Sequence, residues 1–173
     1  MQQTIRNIGI LAHVDAGKTT ITEQFLYLSS ATRALGNVDK ATAITDFLEV
    51  EKARGISVRS APVSFKWNNS VVNLIDTPGH VDFSAEVERV LRILDGAVLV
   101  ISAIEGVQAH TYTLWNALQE LKIPSIIFIN KIDRPGADVL MIIEEIRKEL
   151  KINTIPIQYA ENESDTNIKI TDF

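Results

Sequence analysis

Apolar stretches alternate with helical patterns along the chain, and the alternation predicts an α/β domain on a mainly parallel sheet with helices on both faces. Ile8 to Leu11 reads as a buried strand, and Thr20 to Ser30 follows with Ile21, Phe25 and Leu28 at helical spacing. Arg33 to Ser57 holds no sustained period and is expected to be a long functional loop. Val63, Phe65 and Trp67 alternate with Ser64 and Lys66, and Asn68-Asn69-Ser70 turns the chain into the apolar run Val71 to Ile75. That pair predicts one antiparallel edge hairpin with a half-buried strand. Beyond it come a helix with Phe83, Val87, Val90, Leu91 and Leu94 on its core face, and a strand from Ala97 to Ile101. A helix with Thr111, Leu114, Trp115 and Leu118 inward follows, with Trp115 read as core. A strand from Ser125 to Ile129, a helix marked by Val139, Ile143, Ile146 and Leu150, and a strand from Thr154 to Gln158 complete the pattern.

Three strand ends carry candidate chemistry. The run Ala12-His13-Val14-Asp15-Ala16-Gly17-Lys18-Thr19 directly follows the first strand. A buried strand, a Gly17 turn and a helix start aim successive backbone N–H groups at one point, which is a phosphate-binding arrangement. Lys18 would reach the terminal phosphates and the Thr19 hydroxyl would ligate magnesium. The match departs from G-x-x-x-x-G-K-[ST] at its first place, held by Ala12. After Val71 to Ile75 comes Asp76-Thr77-Pro78-Gly79-His80, where an acid can hold a magnesium-bound water and a glycine N–H can sense a terminal phosphate. After Ser125 to Ile129 comes Asn130-Lys131-Ile132-Asp133, whose last carboxylate can accept the two donors that guanine presents and adenine lacks. Taken singly, Asp-Thr-Pro-Gly is a good generic turn and Asn-Lys-Ile-Asp a polar strand exit. In this order, each at the end of an apolar strand, they point to one nucleotide site at the carboxyl ends of the sheet.

Bulk properties narrow the class. The 173 residues suit one domain, and 46% hydrophobic content argues against disorder. There is no cysteine, no basic leader with an apolar core, and no apolar run long enough to cross a bilayer. A cytoplasmic monomer with no membrane partner is therefore expected. The net charge of −5 argues against general coating of nucleic acid. Arg33, Lys40, Lys52, Arg54 and Arg59 could still form a local RNA contact, or simply a solvated loop.

At Ala12 to Thr20, Arg54-Gly55-Ile56, Asp76 to Phe83 and Asn130 to Asp133 the chain resembles the GTP-binding domain of translational GTPases of the elongation factor G type. Within that group it is similar to the tetracycline-resistance ribosomal protection proteins at Ala12 to Thr20, Leu35 to Asp39 and Val63 to Trp67, whereas Arg134 and Gly136-Ala137-Asp138 look more like elongation factor G. The resemblance implies a P-loop NTPase fold of the Ras-like G domain kind, with residues 1–158 as the G domain and 159–173 as the start of an insertion or tail. It implies that His13, Val14, Asp15, Ala16, Gly17, Lys18, Thr19 and Thr20, together with Asp76, Thr77, Pro78, Gly79 and His80, surround the phosphates of GTP or GDP. Thr19, Ser57 and Asp76 would serve Mg²⁺, His80 would orient the attacking water between an apolar gate of Val14 and Ile56, and Asn130, Lys131 and Asp133 would read guanine. The side chains of His13 and His110 are assigned to packing or surface roles. The implied partner is the ribosome, through the sarcin-ricin loop of its large-subunit RNA. The alternative is a nucleotide-binding switch module with negligible turnover.

Two departures from the family pattern matter. Ser57 stands where the family has threonine, which keeps the oxygen but loses a rotamer-limiting methyl, so a looser GTP state is expected. No Ser-Ala turn follows Asp133, so a fragment with an incomplete base pocket, an exposed sheet edge and weakened nucleotide affinity is expected, with Asn162 to Asp172 poorly ordered or docked non-natively.

Overall fold

The structure is a computed structural model that describes residues 4–32, 61–77, 89–161 and 168–172. Its main sheet has five strands in the order β2-β3-β1-β4-β5. These are β1 (Thr4–Ala12), β2 (Ala61–Trp67), β3 (Ser70–Asp76), β4 (Gly96–Ser102) and β5 (Ser125–Asn130). β3, β1, β4 and β5 run parallel, and β2 pairs antiparallel with β3 through the turn at Asn68. Asn68 takes φ 51°, a left-handed conformation that asparagine tolerates. The expected architecture is thus borne out, including the edge hairpin.

Alternation along the central strands splits the core between two faces. On one, Ile10, Ala12 and Val100 pack with Phe65, Leu74 and helix α1 (Lys18–Leu28) through Ile21 and Leu26. On the other, Leu11, Leu99 and Ile101 pack against Leu91, helix α2 (Ala109–Glu120) and helix α3 (Val139–Leu150). Thr111, Leu114, Trp115 and Leu118 of α2 are all buried, as their spacing predicts.

Several expectations are corrected. Phe25 and Leu28 of α1 are exposed, and the buried stripe is Lys18, Thr22 and Leu26 with Ile21 beside it. The loop before the helix sets this rotation, because Lys18 turns inward and its i+4 and i+8 neighbours follow. In α3 the core stripe is Ile142, Ile146 and Leu150, with Ile143 turned to its flank. Trp67, at the hairpin's end, is 54% exposed. The last predicted strand begins only at Gln158: β6 (Gln158–Glu161) pairs antiparallel with β7 (Lys169–Asp172) in a separate two-stranded sheet. Residues 169–172 are therefore strand-paired rather than poorly ordered, their backbone groups satisfied by β6. Phe83, Val87, the loop from Arg33 to Ser57 with its basic residues, and 162–167 lie outside the described residues.

Candidate functional site

The parallel register aligns the candidate motifs at one end of the sheet. Ile10 lies beside Asp76, Ala12 beside Val100, and Ser102 beside Asn130, so the carboxyl ends of β1, β3, β4 and β5 lie together. Thr77, just past β3, donates its buried hydroxyl to the Ile10 carbonyl at 2.8 Å and ties two of these ends together.

The loop after β1 turns through two left-handed residues, Asp15 at φ 63° and Gly17 at φ 91°. The Ala16 amide donates to the His13 carbonyl at 3.3 Å, closing the turn. Gly17 is the N-cap of α1, with no side chain capping the helix and no acid in its first turn. A helix start without a side-chain cap presents the positive end of the helix dipole, which favours an anion. Lys18, in that first turn, is only 7% exposed. A phosphate placed there would meet both the Lys18 ammonium and the positive end of the helix. Val14 is half-buried and Asp15 and Thr20 are exposed on the loop's outer side.

Asn130 joins this loop to the end of β5. Its Nδ2 donates to the Ala16 carbonyl at 2.8 Å, and a Cβ at Gly17 would run into that same amide nitrogen. Gly17 is required here both by its backbone angle and by this close approach. Lys131 follows in a left-handed conformation at φ 60°, and the Asp133 side chain is open to solvent, with Arg134 Nε at 3.9 Å. Such an exposed pair is worth little, so Asp133 is free to change partner.

A fourth strand end, not singled out from sequence, completes the arrangement. After β4, Ser102 Oγ accepts the amides of Ile104 and Glu105 at 3.2 and 3.3 Å. The Glu105 carboxylate then faces Lys131 Nζ at 3.3 and 3.4 Å and His13 Nε2 at 3.4 Å. On its other side the His13 ring meets Thr111 Oγ1 at 3.3 Å, and that hydroxyl accepts the Gln108 amide, also at 3.3 Å. The chain is consistent in one sense only if Thr111 donates to Nδ1 and Nε2–H donates to Glu105. The His13 side chain therefore packs, as expected, and His110 is half-buried on α2. Partial burial pushes the Glu105 carboxyl up, but hydrogen bonds from Ser102 and His13 and the Lys131 charge outweigh it and hold the group below its ordinary range. The signal that could have exposed Glu105 is an acid followed by Gly106 at the exit of an apolar strand, the same logic that points to Asp76.

Of the remaining candidates, Pro78, Gly79, His80, Ile56 and Ser57 lie outside the described residues, as does the side chain of Asp76. Thr19 is half-buried in the first turn of α1.

The sequence pattern of the Elongation factor Tu GTP binding domain matches residues 3–171. The chain is 55% identical to tetracycline resistance protein TetP of Clostridium perfringens, over 89% of this chain and 24% of that protein. It is 52% identical to mitochondrial ribosome-releasing factor 2 of Danio rerio, over 89% of this chain and 20% of that protein. A crystal structure of a Thermus thermophilus protein superposes with a TM-score of 0.91 at 30% identity, covering 99% of this chain and 26% of that one. The chain thus spans a fifth to a quarter of the length of these relatives. With the loop after β1 and the strand end at Asn130 joined on this sheet, the chain belongs to the Elongation factor Tu GTP binding domain family.

Proposed function

We propose that the whole protein hydrolyses GTP to GDP and phosphate on the ribosome, with the nucleotide held across the ends of β1, β3 and β5. The single observation that carries this reading is the Asn130 to Ala16 hydrogen bond, which makes the phosphate loop and the Asn-Lys-Ile-Asp strand end parts of one site. The amides from Asp15 to Thr20 and the Lys18 ammonium hold the β- and γ-phosphates. Asn130, Lys131 and Asp133 hold the base, with the Asp133 carboxylate accepting the two guanine donors.

A magnesium ion fits the donor set. Thr19 and Ser57 offer hydroxyls and Asp76 a carboxylate, all hard oxygens, and the backbone of Asp76 ends β3 beside Ile10, at the phosphate-loop end of the sheet. When bound, it neutralises charge on the phosphate oxygens. His80 orients the attacking water, Val14 and Ile56 bound it on apolar sides, and Gly79 senses the γ-phosphate. Phosphoryl transfer needs positioning above all, so a partner that completes the site can add about five orders of magnitude in rate. The ribosome, through its sarcin-ricin loop, is that partner in this reading. It is supported by relatives that carry tetracycline resistance and ribosome-releasing names. Resemblance at Leu35 to Asp39 and Val63 to Trp67 favours ribosomal protection as the role of the whole protein.

Among the described residues no helix is long and apolar enough to cross a membrane. The reading is of a cytoplasmic monomer, with residues 1–158 as the G domain and 159–173 opening an insertion.

Titration with a fluorescent GDP analogue in Mg²⁺ buffer tests the nucleotide assignment. Micromolar or tighter binding that excess ATP does not displace is expected, and displacement by ATP would overturn the guanine assignment. Ribosome-stimulated turnover tests the water-orienting role: His80→Ala should abolish the stimulation, and unchanged stimulation would remove His80 from the mechanism.

A further inference from the structure

We infer that Glu105 is a positioning residue for guanine-nucleotide binding, holding Lys131 and the phosphate loop in one fixed arrangement before the nucleotide arrives. The inference rests on the nucleotide reading above and adds a residue to it.

The connector that carries Glu105 is unusually constrained for a stretch between a strand and a helix. Ser102 Oγ takes the amides of Ile104 and Glu105, the Gly106 amide returns to the Ser102 carbonyl at 3.0 Å, and Gln108 Nε2 donates to the Glu105 carbonyl. From α3, Glu145 Oε1 accepts the Val107 amide at 2.9 Å. Gly106 sits at φ 64°, and a Cβ there would come within 2.5 Å of Glu145 Oε2. The connector is thus clamped between its own strand and helix α3.

What this rigidity delivers is one carboxylate at a junction. Both Glu105 oxygens lie near Lys131 Nζ, and one of them also lies near His13 Nε2. Lys131 belongs to the base-reading strand end, while His13 opens the phosphate loop and its carbonyl closes the turn at Ala16. Lysine has a long stem with many rotamers, and ordering it at the moment of binding weakens affinity. Glu105 orders it beforehand, from a backbone position that cannot drift. Its carboxylate reaches Lys131 and His13, so it should act on binding and leave turnover alone.

The test is nucleotide binding and turnover by the full chain and its Glu105→Gln, Lys131→Met and double variants. The isosteric Glu105→Gln keeps the shape and removes the charge. Expected are about tenfold weaker GDP binding, the scale of one charge-assisted contact, a matching rise in KM for GTP, and unchanged ribosome-stimulated kcat. The double variant should bind GDP no more weakly than Lys131→Met alone, since both lose the same interaction. A purely structural Glu105 would instead lower Tm and leave wild-type affinity in the folded fraction. Wild-type affinity in Glu105→Gln, or additivity in the double variant, would overturn the inference while the guanine reading stood. Failure of the unmodified chain to prefer GDP over ATP would overturn both.

Discussion

The two ends of the central sheet are built on opposite terms. At the amino end, polar groups close on one another. The Asn7 amide donates to Asp95 Oδ2 at 2.7 Å, Asn7 Nδ2 to the Ile93 carbonyl at 2.9 Å, and Asn73 Nδ2 to Asn7 Oδ1 at 2.8 Å. Ser64 extends the chain by donating to Asn73 Oδ1 at 2.7 Å, so three strands and the loop before β4 are latched without a left-handed residue among Asn7, Ser64, Asn73 and Asp95. At the carboxyl end Asp15, Gly17, Gly106 and Lys131 all take left-handed angles. An uncapped helix start and a buried lysine face the same region. The Asn7 cluster is satisfied by its own side chains, while the carboxyl end presents a left-handed turn at Asp15 and Gly17 and a helix start without a side-chain cap, which favour an anion there.

That contrast can be broken at either end. Gly17→Ala should do most, because a Cβ there meets Asn130 Nδ2 and the φ of 91° is strained for any other residue. Strain of about 1–3 kcal/mol acting on the nucleotide-bound loop converts to roughly a hundredfold loss of GDP affinity, read by fluorescence titration. Asn7→Ala should show the opposite signature. Losing a two-bond latch costs about 1–2 kcal/mol, lowering Tm by a few degrees in calorimetry, while GDP affinity stays at the wild-type value. Loss of affinity in Asn7→Ala would show that the two ends are not independent.

The smallest effect is one of pH. Glu105 is held below its ordinary value of 4.5, so its contacts contribute fully above that value and are lost as pH falls through the lower folded value. The titratable groups facing it are His13 from the loop after β1 and Lys131 from the loop after β5, with Glu145 of α3 beside Gly106. Thermal stability measured downward from pH 5 should therefore fall more steeply for wild type than for Glu105→Gln. Superimposable acid limbs would show that Glu105 contributes nothing to that end of the fold.

Much of this was legible in the sequence wherever a local rule and the global fold agree. The strand-loop-helix at Gly17-Lys18, the hairpin turn at Asn68 and the buried face of α2 each follow from period or turn chemistry alone. The helix faces were harder. Ile21, Phe25 and Leu28 form as good a stripe as Lys18, Thr22 and Leu26, and only the inward turn of a charged residue, which hydropathy counts as surface, selects the second. In α3 the adjacent pair Ile142 and Ile143 leaves the face ambiguous by one residue, and packing against α2 decides it. β6 and β7 lack alternation, because neither face of that small sheet is buried, so nothing in their polarity marks where pairing begins. Glu105 was illegible for a different reason: its partners His13 and Lys131 are 92 and 26 residues away, and only the shared strand ends bring them together.

The most direct measurement of the central claim is a base-selectivity swap at Asp133. If its carboxylate reads the two donors of guanine, Asp133→Asn replaces one acceptor oxygen with a donor and matches the 2-oxo group of xanthine. Competition titrations should then show the variant preferring xanthosine over guanosine diphosphate, with the phosphate loop still engaged and Tm unchanged. An Asp133→Asn protein that keeps the wild-type preference for guanosine diphosphate would contradict the account, because the base would then be read somewhere other than the end of β5.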